Sequence, residues 1–341
     1  MALTHSSADI LRRLGIWAAF RPDEVSPLNQ ARVTNGNSPF ALDFEPAGSG
    51  RTQLGFLVPN HEIRRAAFEV AMSHADARLI DGTGVVDLRS RTTCAEVDLA
   101  DGRRLRAPLV VAADSRFSAN RRRMGIGAQM LDFGRTVIVA RLSHEQPNQG
   151  IAHECFRFGG TLAMLPLNGG RSSAVITVPA DKAPALLAMS PEAFAAEVRH
   201  WFDDRLGSMR LEGERHTYPL VAVYAHRFVA DRFALLGDAA VGMHPVTAHG
   251  FNFGLYGVDS LTRAIARVGD PGDASALARY QAEHRRATLP IYLGTNAIVR
   301  LFTDDRLPAS FARDALLRIA DRFGPVKRQI TRQLTGSLRA V

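Results

Sequence analysis

Cysteine, lysine and long apolar runs are all scarce in this chain of 341 residues. Cys94 and Cys155 stand far apart and outside any Cys-x-x-Cys or Cys/His spacing, so we expect two free thiols, with a disulfide or a nucleophilic role left as alternatives. No stretch approaches the roughly 18–20 apolar residues that span a bilayer. The first residues lack the basic, apolar and small-residue order of a secretory signal. The composition therefore predicts a cytoplasmic globular protein.

Arginine carries almost all of the positive charge. Lysine occurs only at positions 182 and 327, and the formal net charge is +8. Residues 300–341 hold nine basic and four acidic side chains, so more than half of the excess lies in this segment. Such clustering favours an anionic surface as a partner over a diffuse effect on solubility.

Two segments have the pattern of strands that end at a ligand site. The first is VVAADSRFSANRR, where Asp114 follows an apolar strand and an arginine-rich helix start comes behind it. The second is LLGDAAVGMHPVTAHGFNFGL, where Gly237 and Asp238 close a buried strand and a loop leads into a helix near Gly250. Ligands gather at the carboxyl ends of strands in open α/β sheets, and the N–H groups at a helix start favour an anion. Either aspartate could instead be an ordinary turn or cap residue.

The two segments, together with LGFLVPNHEIRRA, resemble the flavin motifs of the single-component FAD-dependent aromatic hydroxylases, and all three occur in the family's order. The sequences of the segments PNHEIRRA, ADSRFS and GMHPVTAHGFN are most similar to those of the ubiquinone-biosynthesis branch, in particular its 5-demethoxyubiquinol 5-hydroxylase-like members. The resemblance covers essentially the whole chain. It implies FAD as cofactor and NADPH or NADH as electron donor.

Carried over by position, the resemblance implies a set of flavin-binding residues. Asn60 and Asp238 would contact the ribityl chain, and Asp114 would lie near the pyrophosphate. The amides of Phe251 and Asn252 would face the pyrimidine edge of the ring. The full set of cofactor-binding residues that we predict is Asn60, Asp114, Gly237, Asp238, Pro245, Gly250, Phe251 and Asn252. Pro245, flanking the ring, and His249 are the predicted catalytic residues, although a loop histidine bonded to backbone is the alternative for His249.

The chain departs from the family pattern at three places. The family's GxGxxG loop does not occur, since the sequence begins at what would be the segment after it. The Asp-Gly of the shared motif is Asp114-Ser115, and the usual Gln-Gly before the asparagine is His249-Gly250. We interpret the last two departures as sequence features of this branch of the family.

The pattern predicts an α/β fold in which an incomplete FAD/NAD(P)-binding Rossmann-like domain is interleaved with an antiparallel β-sheet substrate domain and followed by C-terminal helices. Residues 6–14 read as a short helix capped by Ser6 or Ser7, 32–58 as a meandering sheet and 60–75 as a helix. The predicted bounds are 1–26, 59–130 and 226–290 for the FAD domain, 27–58 and 131–225 for the substrate domain, and 291–341 for the helices.

The resemblance implies a monooxygenase that uses NAD(P)H and O₂ to hydroxylate a polyprenylated phenol or quinol in ubiquinone biosynthesis. The alternative is a truncated, non-catalytic homologue that acts as a binding or scaffold protein in a biosynthetic assembly. Apolar stripes between Leu307 and Leu338, with arginines around them, suggest helices that associate with a membrane or a biosynthetic complex, or that pack on the flavin domain. We therefore expect a cytoplasmic protein that can lie at the inner face of the cell membrane, and no nucleic-acid partner.

Overall fold

The computed structural model describes residues 1–36, 41–46, 50–157, 159–243 and 249–303. The chain forms two compact units. Within the described ranges, the first holds residues of 1–70, 133–220 and 297–303, and the second holds residues of 71–132 and 221–296. Residues 1–26 lie in the same compact unit as residues 133–220. The bounds of the functional domains stay a prediction.

Seven helices and seventeen strands occur in the described part of the chain, besides three short 3₁₀ helices. The helices are α1 His5–Arg13, α2 Asn60–Ser73, α3 Ala119–Arg123, α4 Ala183–Ala188, α5 Pro191–Trp201, α6 His249–Ile265 and α7 Ala274–Thr303. The strands are β1 Ala2–Leu3, β2 Ser26–Leu28, β3 Gln30–Asn35, β4 Ala41–Phe44, β5 Gly55–Leu57, β6 Val85–Ser90, β7 Ala95–Leu99, β8 Arg104–Ala107, β9 Val110–Ala112, β10 Ala128–His144, β11 Ile151–Arg157, β12 Gly160–Leu167, β13 Arg171–Pro179, β14 Met209–Ala225, β15 Val229–Ala230, β16 Phe233–Leu235 and β17 Val241–Gly242.

The first unit is built on a large sheet with the strand order β14-β10-β13-β12-β11-β3-β4. Its neighbours are antiparallel wherever a hairpin joins them, as in the pairs β11–β12 and β12–β13. The exception is β3, which pairs in parallel with β11. The predicted sheet over 131–225 is thus present, with one parallel pair that the hairpin pattern did not indicate.

Helices α4 and α5 cover one face of this sheet. Their side chains Leu186, Phe194 and Val198 are buried against strand residues such as Ile138 and Leu162. Ser190 caps α5 by accepting from the N–H of Ala193 at 3.2 Å. Successive side chains in a strand point to opposite faces, so this packing uses one side chain in two and leaves the rest on the other face of the sheet.

Two predictions for residues 1–58 need correction. Thr4, rather than Ser6 or Ser7, caps α1, because its hydroxyl accepts from the N–H of Ser7 at 3.2 Å. The segment 32–58 is not one meander. Strands β3 and β4 join the large sheet, whereas β5 lies between β1 and β2 in a separate three-stranded sheet.

A buried carboxylate fixes α2 in the first unit. Glu62 is 0% exposed. It accepts from the backbone N–H and Nε of Arg21 at 2.7 and 3.0 Å, and from the guanidinium of Arg65. Hydrogen bonds from Arg65 and Arg21 outweigh burial and lower the pKa of Glu62 to about 2. The charge is therefore compensated where it lies.

The second unit contains the two strand ends singled out in the sequence. Strand β16 is fully buried and lies between β15 and β9. It pairs in parallel with β9, with Leu235 opposite Ala112. The apolar strand before Asp114 is only partly buried, since Ala112 is buried but Val111 is 40% exposed. Strands β6, β7 and β8 form another antiparallel sheet, with a turn at Asp101-Gly102 joining the last two.

A cluster of rings lies between α6 and α7 in the second unit. His284 is 1% exposed and stacks on Tyr280 and Tyr256, with ring centroids 5.5 and 5.9 Å away. Gly257 of α6 permits this approach, because a Cβ there would lie 3.1 Å from Cε1 of His284. Among the described residues nothing hydrogen-bonds Nδ1 of His284. Burial lowers the pKa of this imidazole to about 4.

None of the helices within the described ranges is long and apolar enough to cross a membrane. Cys155 is buried and Cys94 is half-buried, and both are free thiols. Residues 304–341, which include the predicted docking helices, lie outside the described residues.

We predict that His284 makes the unfolding free energy depend on acid pH. An unfolded histidine binds a proton below about pH 6.5, whereas the folded one binds it only near pH 4. The stabilisation is therefore complete above pH 6.5 and is lost as the pH falls toward 4. Between pH 7.5 and 4, the wild type should lose up to about 3 kcal/mol more than His284→Gln in urea unfolding. His74→Gln, at an exposed position, is the control. Parallel pH profiles for wild type and His284→Gln would contradict this assignment.

Candidate functional site

The site begins at the turn that follows β16. The three residues of this strand are 0% exposed, and Gly237 and Asp238 come directly after Leu236. Gly237 has φ +57°, the left-handed region that favours glycine. A strand buried on both faces thus ends in a turn that places the Asp238 carboxylate at the edge of the sheet, one-third exposed.

Arg116 holds this carboxylate. Its Nη2 and Nε donate to Oδ2 of Asp238 at 2.7 and 3.1 Å, and its Nη1 donates to the carbonyl of Val221 at 2.9 Å. Gly242 of β17 permits the approach, since a Cβ there would lie 3.1 Å from Cβ of Arg116. Within the described part of the chain, Oδ1 of Asp238 makes no hydrogen bond. One oxygen of the aspartate is thus fixed and the other is open to a ligand hydroxyl.

The loop after β9 is tied to the same turn. The hydroxyl of Ser118 donates to Oδ2 of Asp114 at 2.9 Å and caps α3 by accepting from the N–H of Arg121 at 2.9 Å. The guanidinium of Arg121, 2% exposed, donates to the carbonyls of Ala239 and Arg116 at 2.8 and 3.1 Å. Burial lowers the pKa of Arg121. This buried cation therefore joins the loops that follow the two parallel strands.

Helix α6 starts against the same turn. A Cβ on Gly254 would lie 3.7 Å from Cα of Gly237, and one on Gly250 would lie 3.9 Å from Oδ1 of Asp238. The first turn of the helix carries no acidic side chain. A helix N-terminus without an acidic side chain, next to an open carboxylate oxygen, suits a group that has both hydroxyls and negative charge. The residues present therefore fit the ribityl and ring portions of a flavin.

The structure brings together five of the predicted residues: Gly237, Asp238, Gly250, Phe251 and Asn252 all lie at this turn and in the first residues of α6. Asp114 follows the neighbouring strand and is exposed. Asn60 belongs to the first unit, where it is the exposed first residue of α2. Pro245 lies outside the described residues. His249 starts α6, and the structure describes its backbone but not its side chain.

Sequence reasoning missed Arg116 and Arg121 as parts of the site. The signal was present, because both follow Asp114 within the arginine-rich segment of the first motif. What the sequence could not show is that one arginine reaches 122 positions along the chain to Asp238. In the described ranges, no group of three or more His, Cys, Asp or Glu side chains is arranged to hold a metal ion.

Comparison with known proteins identifies the class. A family model described as an FAD binding domain matches residues 1–290. The fold agrees, since p-nitrophenol 4-monooxygenase PnpA from Pseudomonas putida superposes with a TM-score of 0.78 at 19% identity, covering 99% of this chain and 88% of that one. The HpxO structure from Klebsiella pneumoniae, complexed with FAD and uric acid, gives 0.77 at 17% identity over 97% and 87% of the two chains. The chain belongs to the family of proteins with this FAD-binding domain.

More similar relatives lie within one group of enzymes. Ubiquinone hydroxylase UbiM of Neisseria meningitidis is 44% identical over 98% of this chain and 75% of its own length. Ubiquinone hydroxylase UbiL of Rhodospirillum rubrum is 38% identical over 97% and 77%. The predicted family and the α/β fold class are thereby confirmed, and FAD is the cofactor of the family.

We predict that Ser118→Ala lowers the unfolding free energy by about 1–2 kcal/mol, because it removes both the cap of α3 and the hydrogen bond to Asp114. Ser115→Ala is the matched control. Its exposed hydroxyl makes a single 3.2 Å bond to the N–H of Phe117, so a change below about 0.5 kcal/mol is expected. Equal losses for the two variants in denaturant titrations would show that Ser118 does not join the loops.

Proposed function

We propose that the protein is an FAD-dependent monooxygenase that hydroxylates a polyprenylated phenol or quinol in ubiquinone biosynthesis, with NAD(P)H and O₂. The observation that carries this proposal is the Asp238 carboxylate, which Arg116 fixes through one oxygen beside the first turn of α6. The relatives named as ubiquinone hydroxylases support the choice of substrate class. The intact second flavin motif favours this function over that of a non-catalytic scaffold protein.

The bound flavin would supply the oxidation chemistry. The chain's own residues would bind the flavin and orient it. Asp238 is fixed by Arg116 through one oxygen and presents the other to a ribityl hydroxyl. Phe251 and Asn252 lie in the first turn of a 17-residue helix, at its positive end, and we assign their backbone amides to the pyrimidine edge of the ring as the resemblance implies. As the resemblance implies, we assign Asp114 to the pyrophosphate side and Asn60 to the ribityl chain. We assign Pro245 and His249 to the ring.

The proposed function is tested by binding and turnover together. Asp238→Ala should weaken FAD binding by roughly ten-fold or more, since a charge-assisted hydrogen bond is worth about 1.5–3 kcal/mol. Asp270→Ala, which also removes an aspartate–arginine ion pair in the second unit, should leave FAD affinity unchanged. With FAD, NAD(P)H and O₂, the wild type should add one oxygen atom to a prenylated phenol, detected by mass spectrometry with ¹⁸O₂. Equal FAD affinities for Asp238→Ala and wild type would refute the assignment of this residue.

We also propose that residues 307–338 dock on an anionic membrane face, where a polyprenylated substrate resides, and that the protein lies in the cytoplasm at that face. The sequence supports this through apolar residues spaced every four positions and the excess of arginine, at roughly 1 kcal/mol of attraction per basic residue. The protein should co-sediment with anionic liposomes at low salt and less at high salt. Replacing four arginines together by Gln should abolish this binding: Arg318, Arg322, Arg328 and Arg332. Sedimentation that is unchanged by the four substitutions would eliminate electrostatic docking.

A further inference from the structure

The strand ladder of the second unit is interrupted just before the turn at Gly237 and Asp238. Phe228, which precedes β15, faces Leu235 at the end of β16, and the N–H of Leu235 donates to the carbonyl of Phe228 at 2.8 Å. Residues that face each other in this way in an antiparallel ladder exchange two hydrogen bonds. In the described structure the second bond is replaced, because side chains of α7 occupy both of its groups. Phe228 and Leu235 are called the open pair below.

The side chains that keep this pair open are Tyr280 and Gln281. The hydroxyl of Tyr280 donates to the carbonyl of Leu235 at 2.6 Å. Oε1 of Gln281 accepts from the N–H of Phe228 at 2.7 Å. Tyr280 and both residues of the open pair are 0% exposed. Two buried backbone groups are thus satisfied by a helix rather than by the neighbouring strand.

The ring of Tyr280 is held by its neighbours in the same unit. The imidazole of His284 stacks on it, with centroids 5.5 Å and planes 16° apart. His284 in turn meets α6 at Gly257, where a Cβ would lie 3.1 Å from Cε1 of His284 and equally close to Cδ2 of Leu236. This packing restricts the ring of Tyr280, and with it the position of the hydroxyl.

The carbonyl that Tyr280 meets lies close to the open carboxylate oxygen along the chain, since Leu235 is three residues before Asp238. On the other side of the strand, the N–H of Leu236 donates to the carbonyl of Ala112 at 2.9 Å. Closing the open pair would draw the end of β16 toward Phe228 and shift the backbone that leads into the turn. Hydrogen bonds weaken steeply when distance and angle change, so a shifted carboxylate binds a ligand hydroxyl less well.

We propose that Tyr280, together with Gln281, is a positioning residue for flavin binding, which sets the place of the Asp238 carboxylate by keeping the open pair apart. The inference rests on the proposed function, in which Asp238 accepts from a ribityl hydroxyl, and deepens it by naming the residues that position this carboxylate. Tyr280 and Gln281 act through the backbone and are assigned no contact with the flavin.

The first test measures the FAD affinity of the full chain by quenching of flavin fluorescence. Tyr280→Phe removes only the hydroxyl and should weaken FAD binding about three- to ten-fold, the effect of one lost hydrogen bond. Tyr224→Phe is the matched control, because Tyr224 is also buried and its hydroxyl meets Thr288 of α7 at 3.2 Å instead of the backbone before the turn. The control should bind FAD within about two-fold of wild type.

A double variant separates positioning from stability. Tyr280→Phe combined with Gln281→Leu leaves the N–H of Phe228 and the carbonyl of Leu235 free to bond each other, so the open pair should close. Its urea midpoint should therefore be higher than that of Tyr280→Phe alone, while its FAD affinity stays at least about three-fold below wild type. A double variant no more stable than Tyr280→Phe refutes the closing of the pair. One that regains FAD affinity along with stability shows that Tyr280 acts only on stability, which overturns the proposal.

Combination with Asp238→Ala shows through which residue Tyr280 acts. Because the carboxylate is the group that is positioned, Tyr280→Phe should weaken FAD binding by less than about two-fold when Asp238 is already Ala. Fully additive losses would contradict the proposal. If Asp238→Ala alone leaves FAD affinity unchanged, the proposed role of Asp238 fails and this inference fails with it. If Asp238→Ala weakens binding and Tyr280→Phe does not, the inference is wrong and the proposed function stands.

Discussion

The parallel pairing of β9 with β16 is the constraint on which the flavin site depends. Parallel strands end at the same edge of a sheet, so the loops that follow them must leave side by side. Here that brings the Asp114 loop and the Gly237-Asp238 turn together, although 122 residues separate Arg116 from Asp238 along the chain. Three paired residues are enough to fix the register of β9 and β16. The reason is that β16, which leads into the aspartate turn, is completely buried and cannot slip without exposing apolar side chains.

The protein treats its buried ionisable groups in two different ways. Glu62 is inaccessible to solvent and meets two arginines, so it stays ionised and fastens α2 to the preceding loop. Burial outweighs the charge of the neighbouring Glu283 and lowers the pKa of His284, and burial outweighs a hydrogen bond from Thr161 and raises the pKa of Glu154 in β11. The compensated charge of Glu62 has a structural role, since its two arginine partners are already present. An uncompensated polar atom keeps a hydrogen-bonding capacity that a ligand can use.

Periodicity and motifs in the sequence predicted the elements that position the site, because those elements satisfy local rules. The buried run before Asp238, the helix after Pro59 and the large sheet all follow from apolar spacing and turn residues. The parallel partner of β11 could not be predicted, since β3 is more than 110 positions away and nothing local specifies it. Arg121 is a similar case, because a buried arginine looks like its exposed neighbours until the carbonyls that it meets are known.

At this site there is a physical reason for the use of arginine rather than lysine. Arg116 uses all three of its guanidinium nitrogens, with two bonds to one carboxylate oxygen and a third to a strand carbonyl. Arg121 likewise divides its donors between the carbonyls of two different loops. A lysine ammonium is a compact point charge without the planar geometry that lets one side chain join two backbone segments at fixed angles, and its burial would favour deprotonation. The two halves of the site come from distant parts of the chain, and the hydrogen bonds of Arg116 and Arg121 join them.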